Sequence, residues 1–231
     1  TMMAAGLADT RASFYLNTSF SWLGAIAGGL AFGFGMALVG TCGYGALVRL
    51  GGGSLKSLMA VLVLGITALS TQRGLLGLGR VTIVDEFQLD LSAAVDQSIP
   101  SLVNTLFSVD LSIVTIAILL AIPLVWIFRD RDFRSDRRAM VTALIVGGVV
   151  AFGWFATSYL AETSFDPVQV ESASFVVPLA DVILQFAAFT GSGPDYGVGM
   201  VFGTVLGSAL AAQLADNVRW EACDDARELS R

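Results

Sequence analysis

Residues 20–39 read FSWLGAIAGGLAFGFGMALV, a run without one charged side chain. At 1.5 Å per residue it is long enough to cross a hydrocarbon core of about 30 Å. Core helices of water-soluble proteins rarely run so far without a charge. In lipid, every backbone polar group has to find its partner inside the segment, so such a run forms a helix. Four more long apolar runs follow, at 55–72, where Lys56 is the one charge, and at 111–128, 139–159 and 196–214, and the last leads into the charged, amphipathic tail WEACDDARELSR. Pro123 inside the third predicts a kink. Composition agrees, with 55% hydrophobic and 14% charged residues and a mean hydropathy of +0.75. The expected fold is all-α, a polytopic transmembrane helical bundle.

Three shorter apolar pieces, 43–50, 99–109 and 175–189, are too short to cross and read as re-entrant, half or interfacial helices. Lys and Arg placement orients the bundle. RDRDFRSDRR at 129–138 carries five arginines, whereas 81–110 and 160–195 carry no Lys or Arg, so the former is expected in the cytoplasm and the latter outside. Five crossings then put residues 1–19 on the outer, periplasmic side, 40–56 at the inner face and 216–231 in the cytoplasm. The chain reads as one membrane domain over 1–231. It opens TMMAAGLADTR, with neither the basic region nor the apolar core of a signal peptide, and is expected to be an internal piece of a longer protein.

Small residues four apart let membrane helices approach closely. Gly24 with Gly28, Gly29 with Gly33, and Gly199, Gly203 and Gly207 are the candidate packing ladders. GFGMALVGT at 33–41 and GVGMVFGTVLGS at 197–208 share a flavour that hints at internal duplication, the architecture of transporters built as pseudo-symmetric inverted repeats.

The segment GTCGYGALVRLGGG at 40–53 sets pliable, polar backbone against apolar runs. It lacks the spacing of a nucleotide phosphate loop, and no strand precedes a dinucleotide fingerprint. As a plain turn it would leave Cys42 an inert small hydrophobe. As a site, it would be unwound backbone lining a polar path. A helix beginning near Gly43 and running through Val48 would aim free N–H groups and a positive dipole end at Cys42, which suits an anion. Gly40, Thr41, Cys42, Gly43 and Gly45 are therefore the candidate path residues. For a sulfur-bearing anion a neutral thiol serves better than a repelling thiolate, so Cys42 is expected to stay protonated. Arg49 and Lys56 are candidate electrostatic contacts, although snorkelling to the inner surface or binding lipid phosphate is the plainer role.

No enzyme is expected. The chain has no histidine, so a Cys–His dyad is impossible, and with cysteines only at 42 and 223 the common zinc and haem ligand sets are missing. No metal or cofactor is expected. Cys223 reads as an ordinary thiol of the charged tail. Asp181 interrupts VVPLADVILQF and is a candidate for proton coupling; on an outer cap it is simply solvated, the reading favoured here. Asp130, Asp132 and Asp136 among the arginines argue against nucleic acid and for lipid contact.

Residues 29–68, GLAFGFGMALVGTCGYGALVRLGGGSLKSLMAVLVLGITA, resemble the YeeE/YedE sulfur transport family, in which G-x-G-M-x-L-x-G-x-C-x-x-G leads into LVRLGGG and LKSL. Weaker similarity extends through STQRGLLGLGRV at 70–81 and FTGSGPDYGVGMVFGTVLGS at 189–208. The resemblance implies uptake of thiosulfate or a related sulfur compound across the bacterial inner membrane, past cysteines near a pseudo-symmetry centre helped by half-helices. Of that cysteine motif, Cys42 with Gly40, Gly43 and Gly45 is present. A second glycine–cysteine motif, and a helix with another before it, are expected beyond the ends of this chain. Two other readings stand beside transport: a membrane subunit carrying persulfide on Cys42 to a cytoplasmic sulfurtransferase, and a structural subunit with no path.

Overall fold

A computed structural model describes residues 13, 15, 19–90, 98–107, 111–165, 168–189, 193 and 195–221. Strand β1 (Ser19–Ser21) is followed by helices α1 (Trp22–Val39), α2 (Gly43–Gly51), α3 (Leu55–Arg73) and α4 (Leu75–Gly79), and by a π-helical turn, Arg80–Val84. Then come β2 (Gln88–Asp90), α5 (Ile99–Phe107), α6 (Ser112–Arg129), α7 (Arg131–Ser135), α8 (Arg137–Thr163), α9 (Val176–Ala187) and α10 (Tyr196–Leu214). Among the described residues the protein is all-α apart from the two-stranded ribbon β1–β2 and one isolated β-bridge. Five stretches among the described residues are long and apolar enough to cross a membrane: Trp22–Gly51, which joins α1 to α2, and α3, α6, α8 and α10.

The starts of these helices are written locally. Ser21, Ser54, Asp136 and Asp195 are N-caps whose side chains accept backbone N–H bonds from the first turns of α1, α3, α8 and α10. Pro123 lies inside α6, which continues through it as one helix.

The chain divides into two compact units. One comprises residues 1–20 and 88–172. In it Asn104 joins α5 to α6, its amide nitrogen donating to Ser112 Oγ at 2.7 Å and its oxygen accepting from Leu111 N at 2.9 Å. Buried Thr157 of α8 donates to the Glu171 carbonyl at 2.8 Å, and Ser172 Oγ donates to the Val150 carbonyl at 2.6 Å, which lays the chain after α8 back along that helix.

The other unit comprises residues 21–87 and 173–231. Its core is Ala46 and Leu47 of α2, Val61 of α3, Leu179 of α9 and Val201 of α10, flanked by Leu64, Phe175, Val182 and Val205. The two short helices α2 and α9 each pack on both long ones, α3 and α10. Phe175 sets its ring 5.0 Å from that of Tyr44. By contrast, no residue of α1 is buried; Leu30 is 71% and Phe34 68% exposed, as apolar side chains facing hydrocarbon would be.

Most of the candidate ladder glycines face no neighbour among the described residues. A Cβ built on Gly28, Gly29, Gly33, Gly199, Gly203 or Gly207 meets nothing within 4 Å among the described residues. Of that set, Gly24 alone is crowded, by Ser21 and Val84. Close helix approach occurs instead at Gly51, against α10, and at Gly65, where a Cβ would stand 2.6 Å from Ile183 Cδ1 and 3.2 Å from the Leu179 carbonyl of α9. Small-xxx-small spacing permits approach, but the neighbour decides which face is used. The two similar strings also occupy different places: 33–41 closes α1 and enters the break after it, whereas 197–208 opens α10.

Candidate functional site

Helix α1 ends at Gly40, whose φ of 71° and ψ of 13° place it in the left-handed region, with its N–H bonded to the Met36 carbonyl. Glycine takes that conformation without a Cβ penalty, and the αL cap terminates the helix. Thr41 intervenes, and Cys42, extended at φ −85° and ψ 172°, is the N-cap of α2. Its Sγ accepts from Gly45 N at 3.4 Å. The result is a helix broken for three residues and resumed for nine, with a thiol at the break. Nine residues span about 13 Å, under half of a hydrocarbon core.

The glycines of α2's first turn make room for this. A Cβ on Gly45 would collide with Thr41 Oγ1 and touch Cys42 Sγ at 3.8 Å, and one on Gly43 would meet Leu64 Cδ2 at 3.1 Å. Thr41 and Cys42 therefore fold over the start of α2, and Cys42 is exposed as a free thiol. The structure thus brings together Gly40, Thr41, Cys42, Gly43 and Gly45 at one helix break.

Arg49 and Lys56 lie on the wall of a cavity of about 420 Å³ at the α2–α3 turn. Thr41, Ser54 and Ser57 share that wall, as do Arg219 and Glu221, which follow α10. Arg49 donates to the Gly40 carbonyl at 3.5 Å, fastening the last turn of α2 to the cap of α1. Arg219 and Glu221 are functional candidates that sequence reasoning passed over as part of a charged tail. The paired glycines Gly52 and Gly53 were the available signal, because adjacent glycines invite another backbone to approach. Cys223 lies outside the described residues.

Asp181 does not stand merely solvated. Its side chain is 18% exposed and pairs with Arg73, at the end of α3, at 3.4 Å. Burial holds this carboxyl above the ordinary carboxylate range and Asp195 pushes the same way, against the downward pull of Arg73. An acid whose folded value is raised adds most to stability when protonated, and that contribution is lost as pH rises through the raised value. Asp181→Asn should therefore gain on wild type in melting temperature as pH rises from about 4, the ordinary carboxylate value, through the raised one, measured on detergent-solubilised protein. A gap that moves toward wild type over that range would contradict the assignment.

A family model described as sulphur transport matches residues 1–231, the full length of the chain. The chain belongs to the sulphur transport family. No curated protein matches it significantly. As a member of the sulphur transport family with five crossing-length helices, it is a multi-pass membrane protein with a role in moving a sulfur compound. The bilayer and a sulfur-bearing anion are the partners that fit a sulphur transport protein of this architecture.

Proposed function

We propose that this protein carries thiosulfate, or a closely related sulfur oxyanion, across the bacterial inner membrane past Cys42 and through the break at Gly40–Gly45, for use by a cytoplasmic sulfurtransferase. The observation that carries this reading is the exposed Cys42 thiol at the N-cap of α2, within a chain of the sulphur transport family. The first-turn amides of α2 and the positive end of its dipole offer an anion replacement contacts for lost water. Arg49, the nearest cation in sequence, donates to the Gly40 carbonyl at 3.5 Å, so part of its charge is taken up by the break's own backbone. The thiol adds a polarisable, neutral contact suited to a terminal sulfur atom.

The test is uptake of 35S-thiosulfate by a host without its own thiosulfate and sulfate systems, expressing the full-length protein. Saturable uptake is expected, displaced by unlabelled thiosulfate far more strongly than by sulfate. Uptake no faster than in empty cells, or equal competition by sulfate, would defeat the proposal.

A further inference from the structure

The cavity at the α2–α3 turn lies wholly within the unit of residues 21–87 and 173–231 and has a built wall. Three cations, Arg49, Lys56 and Arg219, and one carboxylate, Glu221, line it. Among these four lining side chains cations outnumber the carboxylate, in a chain whose net charge is −6. The first turn of α3, a helix of 19 residues, adds the positive end of its dipole, and Ser54 Oγ accepts from Ser57 N at 3.4 Å and from Ser57 Oγ at 3.3 Å to hold that turn in place.

Arg219 and Glu221 reach the wall by a specific backbone route. After α10 the chain returns as a strap: Arg219 N donates to the Gly52 carbonyl at 3.2 Å, Glu221 N to the Gly53 carbonyl at 3.3 Å, and Leu55 N to the Glu221 carbonyl at 3.0 Å. Ser54 and Glu221 form a parallel β-bridge. Gly53, at φ 104°, lets the strap sit this close; a Cβ there would stand 2.6 Å from the Arg219 carbonyl oxygen. The strap thus delivers a guanidinium and a carboxylate to a pocket already holding two cations.

We propose that this cavity is a tetrahedral-oxyanion site, occupied by the sulfur dianion on the α2–α3 side of the Cys42 break, with Arg49, Lys56 and Arg219 as its counter-charge. The proposal rests on the transport reading above and extends it by a second station. Thr41 connects the two, since it touches both the break and the cavity wall. A volume of about 420 Å³ lets the ion keep part of its water, so binding is loose and electrostatic rather than a tight clamp. Glu221 offsets part of the positive field, which favours exit.

The same chemistry would suit the phosphate of an anionic lipid, so the experiment has two arms. In the first, 35S-thiosulfate is titrated by equilibrium dialysis into full-length protein in neutral detergent, for wild type, the double variant Lys56→Gln/Arg219→Gln, and the charge-keeping Lys56→Arg/Arg219→Lys. The expected results are at least tenfold weaker binding by the glutamine pair, binding within threefold of wild type for the charge-keeping pair, and weakening of wild-type binding by added salt. In the second arm the dialysis is repeated in nanodiscs of phosphatidylcholine with or without phosphatidylglycerol. Thiosulfate binding unaffected by phosphatidylglycerol supports the proposal. Loss of thiosulfate binding as phosphatidylglycerol is added, or unchanged binding by the glutamine pair in detergent, overturns it.

Uptake by the same variants separates this site from the transport reading. If wild type takes up thiosulfate while the glutamine pair binds and transports it with unaltered KM, the cavity assignment fails and transport stands. If wild type takes up none, the transport reading fails, and the cavity is judged on dialysis alone.

Discussion

Gly51→Val is expected to leave little folded protein. Gly51 ends α2 against α10, and a Cβ there would overlap Ser208 Oγ and stand 2.6 Å from the Val205 carbonyl oxygen and 3.0 Å from Ala209 N. Ser208 can rotate, although it would give up its 3.0 Å bond to Val205 O. The two backbone atoms of α10 cannot move without the helix, so α2 and α10 have to separate. That separation opens the core around Leu47, which is 1% exposed, and Val201, which is 4% exposed. Overpacking alone costs about 1–3 kcal/mol, and loosening a fully buried leucine adds a cost on the order of 2–5 kcal/mol. Together these approach the whole stability of a typical domain, about 5–15 kcal/mol. The comparison that isolates the cause is Gly203→Ala, on the same helix α10 but with nothing within 4 Å among the described residues. It should match or slightly exceed wild type, since alanine is the better helix former by about 1 kcal/mol. The yield of monodisperse protein and its melting temperature in detergent measure both. A Gly51→Val protein as stable as wild type would mean that α2 and α10 do not meet as described.

The two glycine results mark where sequence reading stops. Crossing-length helices were legible because a run such as 20–39 carries its length and its lack of charge on its face. The break between α1 and α2 was legible for a related reason: Gly40 adopts a backbone conformation that other residues avoid, and it sits beside the residue types that cap helices. Gly51 and Gly203 look alike in sequence and differ entirely in surroundings, because the neighbour that crowds one and spares the other is set by tertiary packing. The same holds for charges. Arg73 and Asp181 are 108 positions apart, and the strap at 219–221 pairs with 52–55 through main-chain bonds, for which the adjacent Gly52 and Gly53 signal that a backbone can approach but not which one. Thus Asp181 read as solvated and Arg219 as tail, while the structure gives each a place against a distant element.

Cys42→Ser should lower thiosulfate uptake severalfold while leaving the fold intact. Serine is among the preferred N-cap residues, so its oxygen can take over the bond that Cys42 Sγ accepts from Gly45 N, and α2 should begin where it does now. What the substitution removes is the sulfur itself. The serine O–H can still donate to an anion, so the loss expected is that of the soft sulfur–sulfur contact alone, on the order of 1 kcal/mol or more, a fall in uptake efficiency of at least roughly fivefold. Cys42→Ala should show a larger transport defect, since it also removes the side-chain donor, together with a lower melting temperature, because the cap is lost at about 1 kcal/mol. Comparing the two separates the structural task of residue 42 from its task in transport. Wild-type uptake by the serine variant would show that any small hydrogen-bonding side chain suffices there and would end the role given to the thiol. A covalent sulfur relay would also stop in the serine variant, so intact mass has to be read on wild type during turnover. An unmodified thiol is expected, because a passing ion needs no bond to sulfur; an adduct of about 32 Da on Cys42 that forms and clears with substrate would make the residue a persulfide carrier instead.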